Sequence, residues 1–193
     1  MAKEGITFGD LDGSDVRVGI IKTRWNDEVV GKLSEGVKEA LKTCKVEESN
    51  VFETEVPGAF ELPLAARFLA LSQTVDAIVC LGCLVKGDTM HFEYIADATA
   101  KGIMDVGIMT STPVIFGVLT CLDENQAMSR ATGDNNHGVG WGMTAVEMAL
   151  LRMSATGTMK RGQGSQEIGF SKIIGGTAEK KSGTKVKKPS IGF

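Results

Sequence analysis

The side chains of this sequence best suited to chemistry fall into a few short stretches. Arg24-Trp25 sets a cation beside a flat aromatic ring, and Pro57-Gly58 makes a sharp turn ahead of Glu61. Gly87-Asp88-Thr89 leads into His91, and Arg130 and a second histidine, His137, follow. His91 at a helix start would be a neutral base near physiological pH, because the positive helix end disfavours imidazolium. Its alternative is a histidine bonded to a nearby carbonyl. A Gly-Asp-Thr turn entering a helix offers backbone N–H groups to an anion, and Arg130 would add a fork of donors suited to phosphate. Asp88 is an awkward neighbour for an anion unless its side chain points away. On the other reading, Thr89 is a simple N-cap and Arg130 a solvated surface charge. Trp25 can stack on a flat heterocycle or plug a subunit contact. His137, within Asn135-Asn136-His137-Gly138, reads as an exposed loop residue.

Other chemistries find no support. Cys80-Leu-Gly-Cys83 has redox or zinc spacing, but it lies inside an apolar run that reads as a strand. Positions three apart on a strand point to opposite faces, and no second pair completes a metal site. Cys44, Cys80, Cys83 and Cys121 therefore read as small buried hydrophobes. No G-x-G-x-x-G follows the first strand and no Walker loop is present. Gly138-Val-Gly140-Trp-Gly142 reads as a helix-packing stretch. No nucleophile elbow appears.

The elements that must position these residues follow from periodicity. Apolar, β-branched runs at 16–23, 51–56, 76–85 and 113–120 read as strands. Helical spacing of apolar residues follows each. Asn26 caps the first helix, Pro63 lies in the first turn of a helix over 60–71, and Thr89 caps one over 91–109. A short helix spans 123–130, 132–138 is a polar loop, and a last amphipathic helix covers 141–154, with Trp141, Ala145, Met148 and Leu151 on one face. Alternating strands and helices, with strands apolar on both faces, specify an α/β fold. The expected architecture is a three-layer α/β/α sandwich around a four-stranded parallel sheet, flavodoxin-like in layout. A weak extended segment near Ile6 to Phe8 is a candidate edge strand that pairs with a neighbouring subunit. Ligands in such sheets bind outside the carboxyl ends of the strands. That rule selects the loops at 23–26, 57–61, 82–91 and 120 onward, where the unusual residues lie.

Composition bounds the rest. The chain has 193 residues, 42% hydrophobic and 23% charged, with net charge −3. That balance argues against a general nucleic-acid binder. No apolar run is long enough to span a bilayer, and the N-terminus has no secretory h-region. Residues 157–193 carry eight Lys/Arg and two Glu, net +6, which leaves −9 for residues 1–156. The organisation expected is an arm at 1–13, a domain at 14–156 and a basic, Gly-rich tail at 157–193.

Several long blocks, in order, give the chain a specific resemblance to the lumazine synthases. They are Thr23-Arg24-Trp25-Asn26-Asp27, Val56-Pro57-Gly58-Ala59-Phe60-Glu61-Leu62-Pro63, the stretch from Gly82 to Tyr94, Pro113 to Thr120, and Gln126 to Ala131. Their spacing fits over about residues 14–154. The resemblance implies condensation of 5-amino-6-(D-ribitylamino)uracil with 3,4-dihydroxy-2-butanone 4-phosphate to 6,7-dimethyl-8-ribityllumazine, with release of phosphate and water and without a cofactor or metal. It assigns proton transfer to His91. Trp25 would stack on the pyrimidine, as in fungal-type members. Ala59 and Phe60 would hold the ribityl substrate through backbone groups, and Glu61 its hydroxyls. Cys83, Leu84 and Val85 would meet the pyrimidine edge through main-chain groups. Asp88, Thr89 and Arg130 would bind phosphate. His137 would stand where many members have a lysine. Phe116 would close the pocket from an adjacent subunit.

The resemblance further implies a homopentamer, with some members stacking twelve pentamers into a hollow shell. The partners expected are small-molecule substrates and copies of the chain, with no nucleic acid and no membrane. The compartment expected is the cytoplasm, or a plastid if a transit peptide has been removed. Two other classes compete with the enzyme. One is a binding protein that holds riboflavin or a lumazine without turnover; the other is a structural shell whose tail recruits acidic partners.

Overall fold

The computed structural model describes residues 6–158. Most of the basic tail, and the first five residues of the arm, lie outside them. Four strands, β1 (Val18–Thr23), β2 (Val51–Val56), β3 (Ala77–Val85) and β4 (Val114–Cys121), form one parallel sheet in the order β2-β1-β3-β4. The register pairs Val18 with Val51 and with Ala77, and Ile78 with Val114. The helices are α1 (Asp27–Thr43), α2 (Leu62–Leu71), α3 (His91–Thr110), α4 (Glu124–Ser129) and α5 (His137–Thr156). One core lies between the sheet and α1, α4 and α5, and the other between the sheet and α2 and α3. The expected three-layer α/β/α sandwich is the fold observed.

Chain direction fixes where a ligand can enter. After β1 the chain turns outward to β2, whereas after β3 it turns the other way to β4. The helices that make these two departures lie on opposite faces. Their separation opens a crevice above the carboxyl ends of β1 and β3, the switch point of the sheet.

Within its own chain Ile6–Phe8 forms no strand, with Ile6 exposed and Phe8 packed on the core under α1 and α5; the pairing expected of it is with a neighbouring subunit. Four local expectations change. β2 is not apolar on both faces, because as an edge strand it exposes Phe52, Glu53, Thr54 and Glu55. The helix expected from residue 60 is preceded by a 3-10 turn over Ala59–Glu61, closed when Gly58 N–H donates to Glu61 Oε2 at 2.9 Å. Met90, not Thr89, occupies the N-cap position of α3, although the Thr89 hydroxyl accepts from His91 N–H at 3.4 Å. Lastly, α5 starts at His137 rather than 141, because the Asn136 side chain caps it by accepting from Gly138 N–H at 2.9 Å.

The same asparagine donates to Lys32 C=O at 2.8 Å and so ties α5 to α1. The buried residues of α5 are Gly138, Gly142, Ala145, Val146, Ala149 and Leu150, with Gly138 against Leu33 and Gly142 against Val37 and Ala40 of α1, while Met148 is exposed. Small residues let the two helix backbones come close.

The charged edge of β2 is organised around Glu53. It accepts from Ser34 Oγ at 3.1 Å and pairs with Lys22 at 2.8 Å and Lys38 at 2.5 Å. Burial works against its charge, but the bonds from Lys22 and Lys38 prevail and hold the carboxyl down at about 2. A depressed folded-state value stabilises the fold above the ordinary carboxylate range, and that stability disappears as pH falls from about 4.5 through about 2. Glu53→Gln is therefore expected to cost about 1 kcal/mol at pH 7, after allowance for screening at this edge, and almost nothing at pH 2. Urea melts of both proteins across that range check it.

Candidate active site

The switch-point crevice encloses about 650 Å³. Three of the four loops selected from the sequence wall it. Trp25 and Asn26 come from the β1 loop, Gly58, Ala59, Phe60 and Glu61 from the β2 loop, and the end of β3 with Thr89 and His91 from the third.

Each loop is held by bonds the fold supplies. Asn26 adopts left-handed backbone (φ 57°), a conformation asparagine tolerates better than most residues. Its side chain does not cap α1 as expected. It donates to Cys83 C=O at 2.8 Å and ties the β1 loop to the end of β3. Thr23 Oγ1 donates to Trp25 C=O at 3.2 Å. Trp25 is 73% exposed, with its ring edge over Gly58. A Cβ at position 58 would meet Trp25 Cδ1 at 3.4 Å and Glu61 Oε2 at 3.3 Å, so a residue without a side chain suits this approach.

Below the β2 loop, the fully buried Thr99 of α3 donates to Ala59 C=O at 3.2 Å. In a trans peptide the C=O and N–H point opposite ways. Thr99 therefore aims the Phe60 N–H away from α3.

The end of β3 presents its main chain unevenly. Pairing with β1 stops at Leu81, while pairing with β4 continues to Val85. Backbone groups alternate sides along a strand. Asn26 takes the Cys83 carbonyl from the β1 side, and Lys86 N–H donates to Cys121 C=O on the β4 side. Cys83 and Val85 thus turn their main-chain groups toward the crevice, whereas those of Leu84 turn toward β4. Leu84 meets the crevice with its side chain.

The Cys83 thiol packs in the core under α1, and burial, with Cys121 nearby, pushes it up to about 11. Cys80 lies in the opposite core, pushed up to about 12 by burial. The two thiols of the C-x-x-C spacing therefore face opposite sides of the sheet, as the strand reading requires. All four cysteines are buried and free.

Gly87 and Thr89 line the crevice beside the start of α3, and Asp88 is exposed and not part of the wall. His91 is the first residue of α3, at the crevice mouth.

Phe116, Arg130 and His137 do not join this crevice. Phe116 lies in a separate apolar groove of about 610 Å³ between α3 and α5. Arg130, at the end of α4, donates through Nη1 to Gln126 C=O at 2.9 Å, and its own carbonyl accepts from His137 N–H at 2.9 Å. The His137 ring stands edge-on to Trp141, centroids 5.9 Å apart. The reach of Arg130 into the crevice, expected from its place after the fourth strand, is not made within one chain. β4 is the far edge of the sheet, and the chain beyond it folds back onto the α1 face.

Sequence reasoning missed Thr99 as a support of the β2 loop and Asn26 as a clamp. A signal for Thr99 existed: it interrupts the otherwise apolar stripe Ile95, Ile103, Val106 of α3. The Asn26 clamp depends on a contact 57 residues away and left no local trace.

A parallel α/β sandwich with a ligand-sized crevice at its switch point, walled by three strand-end loops, places the protein in the flavodoxin-like class of folds. The 6,7-dimethyl-8-ribityllumazine synthase family matches residues 15–153. A protein of Pyricularia oryzae carrying that same name is 39% identical over 191 residues, an alignment that covers 79% of this chain and 96% of that protein. The chain belongs to the lumazine synthase family, a family of transferases in riboflavin biosynthesis.

Proposed function

We propose that this protein joins 5-amino-6-(D-ribitylamino)uracil to 3,4-dihydroxy-2-butanone 4-phosphate in a crevice completed by a neighbouring copy of the chain. One observation carries this reading. The crevice holds Trp25, Glu61 and His91, while the remaining residues suited to the reaction, Phe116, Arg130 and His137, belong to β4 and the chain after it, outside that crevice.

The pyrimidine stacks on Trp25, with its edge on the main chain of Cys83 and Val85. The ribityl chain lies along the backbone of Ala59 and Phe60, and Glu61 meets its hydroxyls. The phosphate sits at the Gly87–Thr89 turn, and the neighbour's copies of Phe116, Arg130 and His137 close the site.

The amine adds to the ketone and water leaves, giving an imine. Loss of a proton and of phosphate yields an enol, which tautomerises to a ketone. The ribitylamino nitrogen attacks that carbonyl, and a second water leaves as the ring closes. His91 moves protons in these steps, and Arg130 stabilises the departing phosphate. Aligning two reactive partners supplies much of the acceleration.

Exposed apolar surface supports an oligomer. Leu64, Phe68 and Leu71 of α2, and Met104, Ile108 and Met109 of α3, are each more than half exposed. Patches of this kind mark interfaces. The free edge of β2 offers a place for the Ile6–Phe8 segment of a neighbour. The assembly proposed is a ring of five.

Mixing the two substrates with the protein should produce lumazine absorbance and fluorescence together with one phosphate per turnover. Sedimentation should give a species five times the chain mass, or a multiple of it. A protein that binds riboflavin but releases no phosphate overturns the reading.

A further inference from the structure

The two ends of the segment that carries Thr89 and His91 are fastened by side chains that do not touch the crevice. Lys86 is the first residue past β3, and its N–H donates to Cys121 C=O at 2.9 Å, so its backbone is fixed to the sheet. Its ammonium pairs with the carboxylate of Glu93. It also lies 5.7 Å from the centroid of the Phe92 ring, whose residue lines the crevice. Glu93 is the third residue of α3, where the helix dipole favours an anion. Its Oε2 is buried with no hydrogen-bond partner among the described residues. Lys86 is thus the only cation paired with Glu93 among those residues.

We infer that the Lys86–Glu93 pair is a clasp that sets the distance between the end of β3 and the start of α3, and thereby places the Gly87–Thr89 turn and His91. The inference rests on the proposed reaction. Both partners are positioning residues, since neither lines the crevice. The side chains are 35% and 39% exposed, so the pair adds little to global stability. Its effect falls on the geometry of a five-residue connection, 86 to 90, that contains no regular structure. Small displacements of reacting groups carry large rate penalties. Without Lys86, the Glu93 carboxylate must turn toward water, and the first turn of α3 moves with it.

The test compares steady-state kinetics of the full-length protein with Lys86→Met, Glu93→Gln, the double variant and Lys86→Arg. Lys45→Met is the control; it removes a lysine near Asp12 at the opposite end of α1. Lys86→Met should lower kcat at least about tenfold and raise KM for the phosphorylated substrate, because both depend on the turn and on His91. KM for the pyrimidine, held by Trp25 and by β3 itself, whose pairing to β4 the variant leaves intact, should change less than about twofold, and the melting temperature should stay within a few degrees. Lys86→Arg should restore most of the rate, and the double variant should be no worse than either single one. Wild-type turnover with an unaffected Lys86→Met overturns the clasp. So does a loss of rate that Arg fails to restore, or additive losses in the double variant. Absence of turnover in the wild type overturns the reaction instead.

Discussion

Gly138→Ala is expected to destabilise the protein by about 3–5 kcal/mol, lowering its melting temperature by roughly 10–15 °C. A Cβ built at Gly138 lies 2.1 Å from Leu33 C=O and 2.9 Å from Asn136 Oδ1. Neither neighbour can yield cheaply. Leu33 C=O belongs to the backbone of α1, and Asn136 is both the cap of α5 and its tie to Lys32. Relief requires α5 to move off α1 along a face of Gly, Ala and Val, and that opens the main core. Two residues further on, Gly140 has nothing within 4 Å of the same added atom. There alanine removes only the entropic cost of glycine in a helix, and Gly140→Ala should stabilise by about 0.5–1 kcal/mol. Gly142→Ala, with Val37 C=O at 2.8 Å, should fall between the two. Thermal melts at one fixed protein concentration check the order, since assembly makes the midpoint concentration-dependent. Equal melting of the 138 and 140 variants would show that α5 does not press on α1 as described.

The contrast between these glycines shows what the sequence could and could not say. Gly138-Val-Gly140-Trp-Gly142 was legible as a helix-packing stretch, and Gly138 and Gly142 do pack. Gly140 does not, because which face meets α1 depends on where the helix starts. The start was misplaced because its cap, Asn136, sat in what read as a polar loop. The strands were read to within two residues at either end, because β-branched runs between turn signals have few alternatives. The edge character of β2 was hidden, since strand order is a long-range property. In the candidate site, the loops came from the topology rule, and local motifs supplied Trp25, Glu61, Thr89 and His91. Arg130 illustrates the limit: its place after the fourth strand suggested the same crevice, yet β4 lies at the outer edge.

That displacement of Arg130 yields the sharpest test of a shared site. Arg130→Ala should reduce kcat/KM for the phosphorylated substrate by about 10²-fold or more, because a charge-assisted donor to the leaving phosphate is lost. Affinity for the pyrimidine should be nearly unchanged; the opposite pattern would refute the assignment. His91→Ala should fall by a similar factor or more, with a residual rate from alignment of the substrates alone. If each site combines the crevice of one chain with Arg130 of the next, the two defects belong to different halves of a site. Co-expressing the variants with distinct tags, and isolating assemblies that carry both, should then restore about a quarter of wild-type activity in an equal mixture, since head-to-tail neighbours assort at random around a ring. A chain that supplied both residues to its own site would leave every site defective, and the mixture would be as inactive as its components. Recovery in the mixed assemblies, set against two inactive parents, cannot arise from improved folding of either variant, because each parent is measured in the same assembled form.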